Sequence, residues 1–192
     1  MKQLVLASGS TARKEILERT GIPFIVDVSN YEENMAINLE PAELAKYLSK
    51  GKALDVASRH KNAVVLAADS FAVFNGELLG KPRTTEKARE MLTTLSGQCH
   101  SFITGFTIID PDTGKEHSDT DETKVYFRKL TTEDIDGYLA KENALNNAGA
   151  YIIQNLGAVL VERIDGDYSN VMGLPLPKVA KALKEFGVDF LK

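Results

Sequence analysis

A short apolar run, Leu4-Val5-Leu6-Ala7, breaks at Ser8-Gly9-Ser10 and passes into helical spacing through Ile16 and Leu17. This change of period predicts a strand followed by a helix that begins near Ser10 and is ended by Gly21 in a left-handed cap. Residues 23–29 alternate as a second strand does, and residues 30–39 form a polar loop. Pro41, followed by Leu44, Ala45, Leu48, Leu54 and Ala57, marks an amphipathic helix running to about Arg59. Residues 63–68 are almost wholly apolar, the pattern of a strand covered on both faces. Asn75-Gly76, between residues 71–74 and 78–79, is a strong hairpin signal. Thr84 or Thr85 then caps a helix to Leu95, closed by Gly97. Further on, residues 102–109 and 123–127 are β-rich and are joined by the turn-forming cluster Asp110-Pro111-Asp112-Thr113-Gly114, which predicts a long antiparallel pair. Thr131 or Thr132 starts a helix to about Lys141, residues 156–164 read as a strand, and Pro175 opens a last amphipathic helix ending at Gly187. Helices and strands interleaved in this way, with a hairpin-rich centre, predict an α/β fold: a single domain with an elongated mixed β-sheet flanked by helices.

Composition narrows the function classes. With 192 residues and no Pro/Gly/Ser-rich linker, the chain is most simply one domain, with room for two lobes. A net charge of −4 argues against a broad nucleic-acid or membrane-surface footprint, so an anionic ligand must be held by a few placed cations. The single Cys99 excludes an internal disulfide and a Cys-based zinc site, which fits a reducing, cytoplasmic setting; the residue itself reads as packing. His60, at a helix end, and His117, in a turn, read as solvated. The first apolar run is too short for a signal peptide, and no stretch approaches membrane-spanning length.

The candidate chemistry follows from the junctions between elements. The first N–H groups of a helix lack intrahelical partners and sit at its positive dipole end, so Ser8-Gly9-Ser10 is suited to hold an anion. Arg13 adds a cation whose planar fork suits phosphate oxygens, although the local pattern alone is also that of a plain strand-turn-helix with Ser10 as N-cap. Asp69 follows the apolar run of residues 63–68, where a loop beyond a strand's carboxyl end often binds ligand; its carboxylate can ligate a hard cation, take a proton from water, or simply cap a turn. Lys81, between Gly80 and Pro82, is a point charge on a stiffened segment, with Arg83 close by. Glu32 and Glu33 lie in the polar loop, Lys52 lies on the second helix, and Gln154 offers a neutral amide able to read a base edge.

These residues also carry a resemblance. Leu6, Ala7, Ser8, Ser10, Arg13, Glu15 and Leu17 resemble the amino-terminal signature of the Maf family of nucleoside triphosphate pyrophosphatases. The likeness continues in order through Ala68-Asp69-Ser70, Gly80-Lys81-Pro82-Arg83, Leu95-Ser96-Gly97, residues 148–154 and residues 171–176. Thr11 and Ala12 stand where the family usually has Pro and its first Arg, so one of two expected phosphate-facing cations is missing. The resemblance implies a Maf/ITPase-like fold and a metal-dependent cleavage between the α- and β-phosphates. It implies Asp69 as the catalytic residue and Glu33 with Asp69 as ligands of Mg²⁺ or Mn²⁺. Ser8, Ser10, Arg13, Lys52, Lys81 and Gln154 would contact the substrate. Gln154 and the hydroxyl of Ser70, in the place of the usual Thr, resemble the dTTP/UTP subgroup more than the 7-methyl-GTP subgroup. The family commonly dimerises, so the resemblance further implies a homodimer, while the net charge of −4 leads to the expectation of no nucleic-acid or membrane partner. Two readings from other classes are a nucleotide-binding regulator of cell division without turnover and an interaction protein that uses the long central hairpin as a surface.

Overall fold

Seven strands form one mixed sheet in the computed structural model, which describes residues 2–35 and 37–192. The strands are β1 (Gln3–Leu6), β2 (Phe24–Val26), β3 (Ala63–Phe74), β4 (Glu77–Leu79), β5 (Cys99–Ile109), β6 (Glu116–Phe127) and β7 (Val161–Asp165). Their order is β2-β1-β3-β5-β6-β7, with β4 paired to β3. β1 runs parallel to β2 and β3, whereas β4 pairs antiparallel with β3, and β7 antiparallel with β6. The helices are α1 (Thr11–Glu18), α2 (Pro41–Ala57), α3 (Thr85–Leu95), α4 (Thr132–Lys141), α5 (Tyr168–Val171) and α6 (Leu176–Lys184). Among the described residues, no helix is long and apolar enough to cross a membrane.

The chain divides into two compact units. The first holds the chain up to Ser70, Thr104–Asp121 and Gly173–Lys192; the second holds Phe71–Ile103 and Glu122–Met172. In the first unit, β3 and β1 present alternate residues to opposite faces, as a period of two requires. Val5, Ala7, Ala63, Val65 and Ala67 form one buried cluster with Ala53, Val56 and Ala57 of α2. Their neighbours Leu4, Leu6, Val64, Leu66 and Ala68 are buried as well, which is why the run read as continuously apolar.

Helix α2 is held close to the sheet by small residues. An added Cβ at Gly105 of β5 would collide with the backbone of Ala45 and Lys46, so only glycine allows this approach. Four residues on from Ala45, the buried Ser49 hydroxyl hydrogen-bonds Thr107 of β5 at 2.9 Å. Lys52 comes two turns after Ala45 and therefore lies along the same inward face.

In the second unit, Asn75 and Gly76 take positive φ angles of 51° and 82°, as the two-residue β3–β4 hairpin demands. Helix α3 packs on α4, whose start carries a capping box between Thr131 and Asp134.

Several sequence expectations need correction. The segments read as a strand (63–68) and a hairpin arm (71–74) are one continuous strand, so Asp69 lies inside β3 and not in a loop after it. Apolar residues resume at Phe71, and the two polar side chains at 69 and 70 find partners on the adjoining helices. β2 has three residues, against the seven expected, because only Phe24–Val26 pair with β1. Residues 156–160 form a 3₁₀ turn before β7, since Gly157 packs directly on the backbone of Ile152. His60 is paired with Asp27 at 2.7 Å, and His117 lies in β6 with its ring against Phe106; neither is merely solvated. Cys99 is exposed, as the first residue of β5, and packs no core.

Gly105→Ala should lower stability by about 1–3 kcal/mol, the usual cost of overpacking, because the obstructing atoms are backbone. Urea unfolding measures this directly: a midpoint equal to wild type would mean that α2 yields without strain.

Candidate active site

Two adjacent residues of β3 face opposite ways. Asp69 shares the parity of Ala63, Val65 and Ala67 and so points to the α2 side, where its Oδ1 accepts a hydrogen bond of 2.8 Å from Lys52 Nζ. Ser70 points to the other side, where its hydroxyl accepts from Arg13 Nη2 at 2.9 Å. The sequence-predicted residues Ser8, Ser10, Arg13, Glu33, Lys52 and Asp69 all lie in the first unit; Lys81 and Gln154 lie in the second.

Arg13 is set by its surroundings more than by its helix. Ser10 caps α1, its hydroxyl accepting from the Arg13 backbone N–H at 3.4 Å, and this puts Arg13 in the first turn. The guanidinium donates through Nε to the Gly173 carbonyl at 2.8 Å, through Nη1 to Ser8 Oγ at 3.1 Å and through Nη2 to Ser70. Ser70 in turn pairs with the buried Thr104 hydroxyl at 2.9 Å and donates to the Gly173 carbonyl at 3.3 Å. Gly173 has a φ of 103°, a backbone conformation that would strain any other residue and that turns its carbonyl toward Arg13. Three of the five guanidinium N–H groups are engaged, which leaves one on each terminal nitrogen for a ligand. Burial pulls the Arg13 pKa below its ordinary value, while the charges of Asp69 and Glu33 oppose that shift. A guanidinium remains a cation in either case.

Around Lys52 the charges are closely paired. Its Nζ lies 2.8 Å from Asp69 Oδ1 and 2.7 Å from Glu33 Oε1. Lys52 and Asp69 each keep only 13% of their side-chain surface in water, whereas Glu33 keeps 44%. Asp69 Oδ2 is buried and has no hydrogen-bond partner among the described residues. An unpartnered buried carboxylate oxygen is costly unless something binds it.

The acidic loop reaches Lys52 because it is tied to α2. Asp55 accepts from the Ser29 hydroxyl at 2.9 Å and the Asn30 N–H at 2.8 Å, and these bonds hold its carboxyl below the usual range. Just before, Arg59 and His60 clamp Asp27, and the Arg59 guanidinium does most to depress that carboxyl. Just after, the Tyr31 ring lies on the bare backbone of Gly51, where any side chain would strike it, and Glu33 follows within reach of Lys52.

Glu33 and Asp69 fit a hard divalent cation. Among the described residues no group of three or more His, Cys, Asp or Glu side chains could hold a metal, so the protein offers this carboxylate pair and the free Asp69 Oδ2. Mg²⁺ is commonly held by one or two carboxylates, with water and substrate phosphates completing its shell.

In the second unit, Lys81 is exposed, and Arg83 donates to Asn146 at 2.9 Å. Gln154 is half-buried, and no hydrogen bond engages its amide among the described residues. Its segment is well anchored: the Ile152 N–H donates to Tyr138 Oη at 3.1 Å, and Tyr151 Oη pairs with the buried His100 Nε2 at 3.0 Å.

Sequence reasoning missed Thr104, the Gly173 carbonyl, Asp55 and the Tyr31–Gly51 contact. Gly173 and Ser70 drew notice only within matched motifs. Thr104 carries no local signal, being one hydroxyl in an apolar strand. Ser70 stands in the place of the usual Thr, and its hydroxyl is engaged with Arg13, Thr104 and the Gly173 carbonyl.

Ser70→Ala should weaken binding of inorganic tripolyphosphate about tenfold by freeing Arg13 Nη2, and Ser70→Thr should restore it. Calorimetric titration of the three proteins checks this; equal affinity for the alanine variant would show that Arg13 holds its place unaided.

Residues 3–186 match the sequence model of the family described as Maf-like protein. A protein of Methanosarcina barkeri named dTTP/UTP pyrophosphatase is 44% identical, the alignment covering 100% of this chain and 98% of that one. Proteins of the same name are 43% identical in Halalkalibacterium halodurans, with 97% of each chain covered, and 41% identical in Bacillus cereus, with 98% of this chain and 92% of that one. A solved HAM1 protein from Coxiella burnetii aligns over 96% of this chain and 100% of its own at 15% identity, with a TM-score of 0.47, a likeness too slight to bear on the site. A family match running from β1 through α6, joined to relatives aligned over nearly their full lengths, makes this chain a member of the Maf family.

Proposed function

We propose that the chain is a single-domain nucleoside triphosphate pyrophosphatase, acting in a reducing compartment such as the cytoplasm on dTTP and UTP and releasing nucleoside monophosphate and pyrophosphate. The observation that carries this reading is Asp69: a buried carboxylate with one oxygen on Lys52 and the other free, in the same unit as Arg13, whose position is fixed by three hydrogen bonds. The names of the relatives at 41–44% identity support the substrate class.

Cleavage of a phosphoanhydride needs an aligned water and cations that absorb charge on the leaving group. Asp69 supplies the carboxylate that orients the water or takes its proton. Arg13 directs its two remaining N–H groups at phosphate oxygens, and the first turn of α1 adds the amides that Ser10 does not satisfy. Gly9 fits this role, because neither its φ nor its neighbours require glycine: a Cβ there would meet Val28 at an ordinary 3.6 Å. Lys81 contributes a further cation to the triphosphate, and the Gln154 amide donates to a carbonyl and accepts from N3–H of uracil or thymine. Mg²⁺ or Mn²⁺ on Glu33 and Asp69 would supply charge neutralisation and a more acidic water.

Asp69→Asn should keep the fold and lose about 10²- to 10⁴-fold in turnover, the range for a lost general base. Pyrophosphate release with Mg²⁺ and circular dichroism on the same samples test it, and turnover within a few-fold of wild type would remove Asp69 from the chemistry. With a panel of dTTP, UTP, ATP and 7-methyl-GTP, kcat/KM should be highest for the two pyrimidines. Preference for 7-methyl-GTP would move the chain to the other subgroup, and tight binding with no pyrophosphate released would favour a regulator without turnover.

A further inference from the structure

Lys52 holds the two carboxylates that suit a metal. Resting on the reading of Glu33 and Asp69 as metal ligands, we propose that Lys52 is a resident counter-ion that competes with the divalent ion for this pair, so that metal binds poorly to the protein alone and well only when a triphosphate offers the ammonium other oxygens.

The geometry supports this in four ways. The ammonium contacts one oxygen of each carboxylate, at 2.7 and 2.8 Å, and so already neutralises part of the charge that would draw a cation in. It comes from a helix fixed over the sheet by Gly105 and the Ser49–Thr107 pair, so the backbone that carries it keeps its place beside Asp69. Its side chain ends in three rotatable donors on a flexible stem, which lets it pass from carboxylate to phosphate without backbone movement. Finally, two carboxylates are too few to fill the shell of Mg²⁺ or Mn²⁺, and phosphate oxygens of the substrate are the natural remainder. The same pair that is left short of positive charge when Lys52 turns to phosphate is then ready for the metal. Coupling of this kind is reciprocal, since metal and triphosphate each favour the arrangement that the other needs. Lys52 thereby acts both as substrate contact and as a device against idle metal loading.

The test compares wild type, Lys52→Met and Lys52→Met/Asp69→Asn, with Lys52→Gln as a second replacement should methionine disturb folding. Mn²⁺ affinity of the protein without nucleotide is measured from the free-ion paramagnetic resonance signal, and affinity for α,β-methylene-dUTP is measured in EDTA. Removing the ammonium should tighten Mn²⁺ about tenfold or more and weaken the metal-free nucleotide analogue by a similar factor, as expected for one charge-assisted contact. These opposite signs separate competition from a structural role, because a merely loosened site would weaken both. Unchanged or weaker Mn²⁺ binding in both single variants would overturn the proposal, as would undiminished binding of the analogue. The double variant isolates the underlying reading: if it keeps the gain in Mn²⁺ affinity, the ion is not on Asp69, and that assignment fails whatever Lys52 does.

Discussion

The site in the first unit depends on the alternation of one strand. β3 turns Asp69 toward α2 and Ser70 toward Arg13, so a single dipeptide serves an anionic position on one face and a cation-holding position on the other. A shift of one residue in register would exchange the two and bury Ser70 against Lys52. The register is secured by the parallel pairing of β1 with β3, Val5 opposite Val65 and Leu6 opposite Leu66, with apolar residues on both faces.

Around that strand, small residues do much of the positioning. Gly105 lets α2 approach the sheet, Gly51 lets Tyr31 lie on α2, and Gly173 lets its own carbonyl reach Arg13. At Gly105 and Gly51 the approach is one that a methyl group would forbid, and at Gly173 it is the φ of 103° that excludes a side chain. Of the three charges that then meet around Lys52, only Glu33 keeps a large share of its surface in water.

Arg13 and Asp69 illustrate two ways of making a charge available. The guanidinium is fully oriented, and two donors remain for a ligand. The carboxylate is half satisfied, with one oxygen on a lysine and the other buried without a partner. Burial without full satisfaction is unfavourable to the protein alone and gives an incoming cation or water something to complete.

Much of this was legible in the chain. Ser10 as the cap of α1, Pro41 at the start of α2, the Asn75-Gly76 hairpin and the Thr131 cap all depend on local backbone preference, which a short stretch of residues determines by itself. The ordered short motifs that resemble the Maf family singled out Arg13, Glu33, Lys52, Asp69, Lys81 and Gln154, several of which local pattern alone would have left as solvated side chains. What the tertiary structure decided is what those groups touch. No sequence pattern states that Asp69 lies inside a strand, that Lys52 bridges it to Glu33, that Ser70 and Thr104 hold Arg13, or that His60 is bound to Asp27. Those partners are separated by up to tens of residues, and they meet only because apolar burial stacks α2 on one side of β3 and seats α1, through Ile16 and Leu17, so that Arg13 meets Ser70 on the other, a property of the packed whole and of no segment within it.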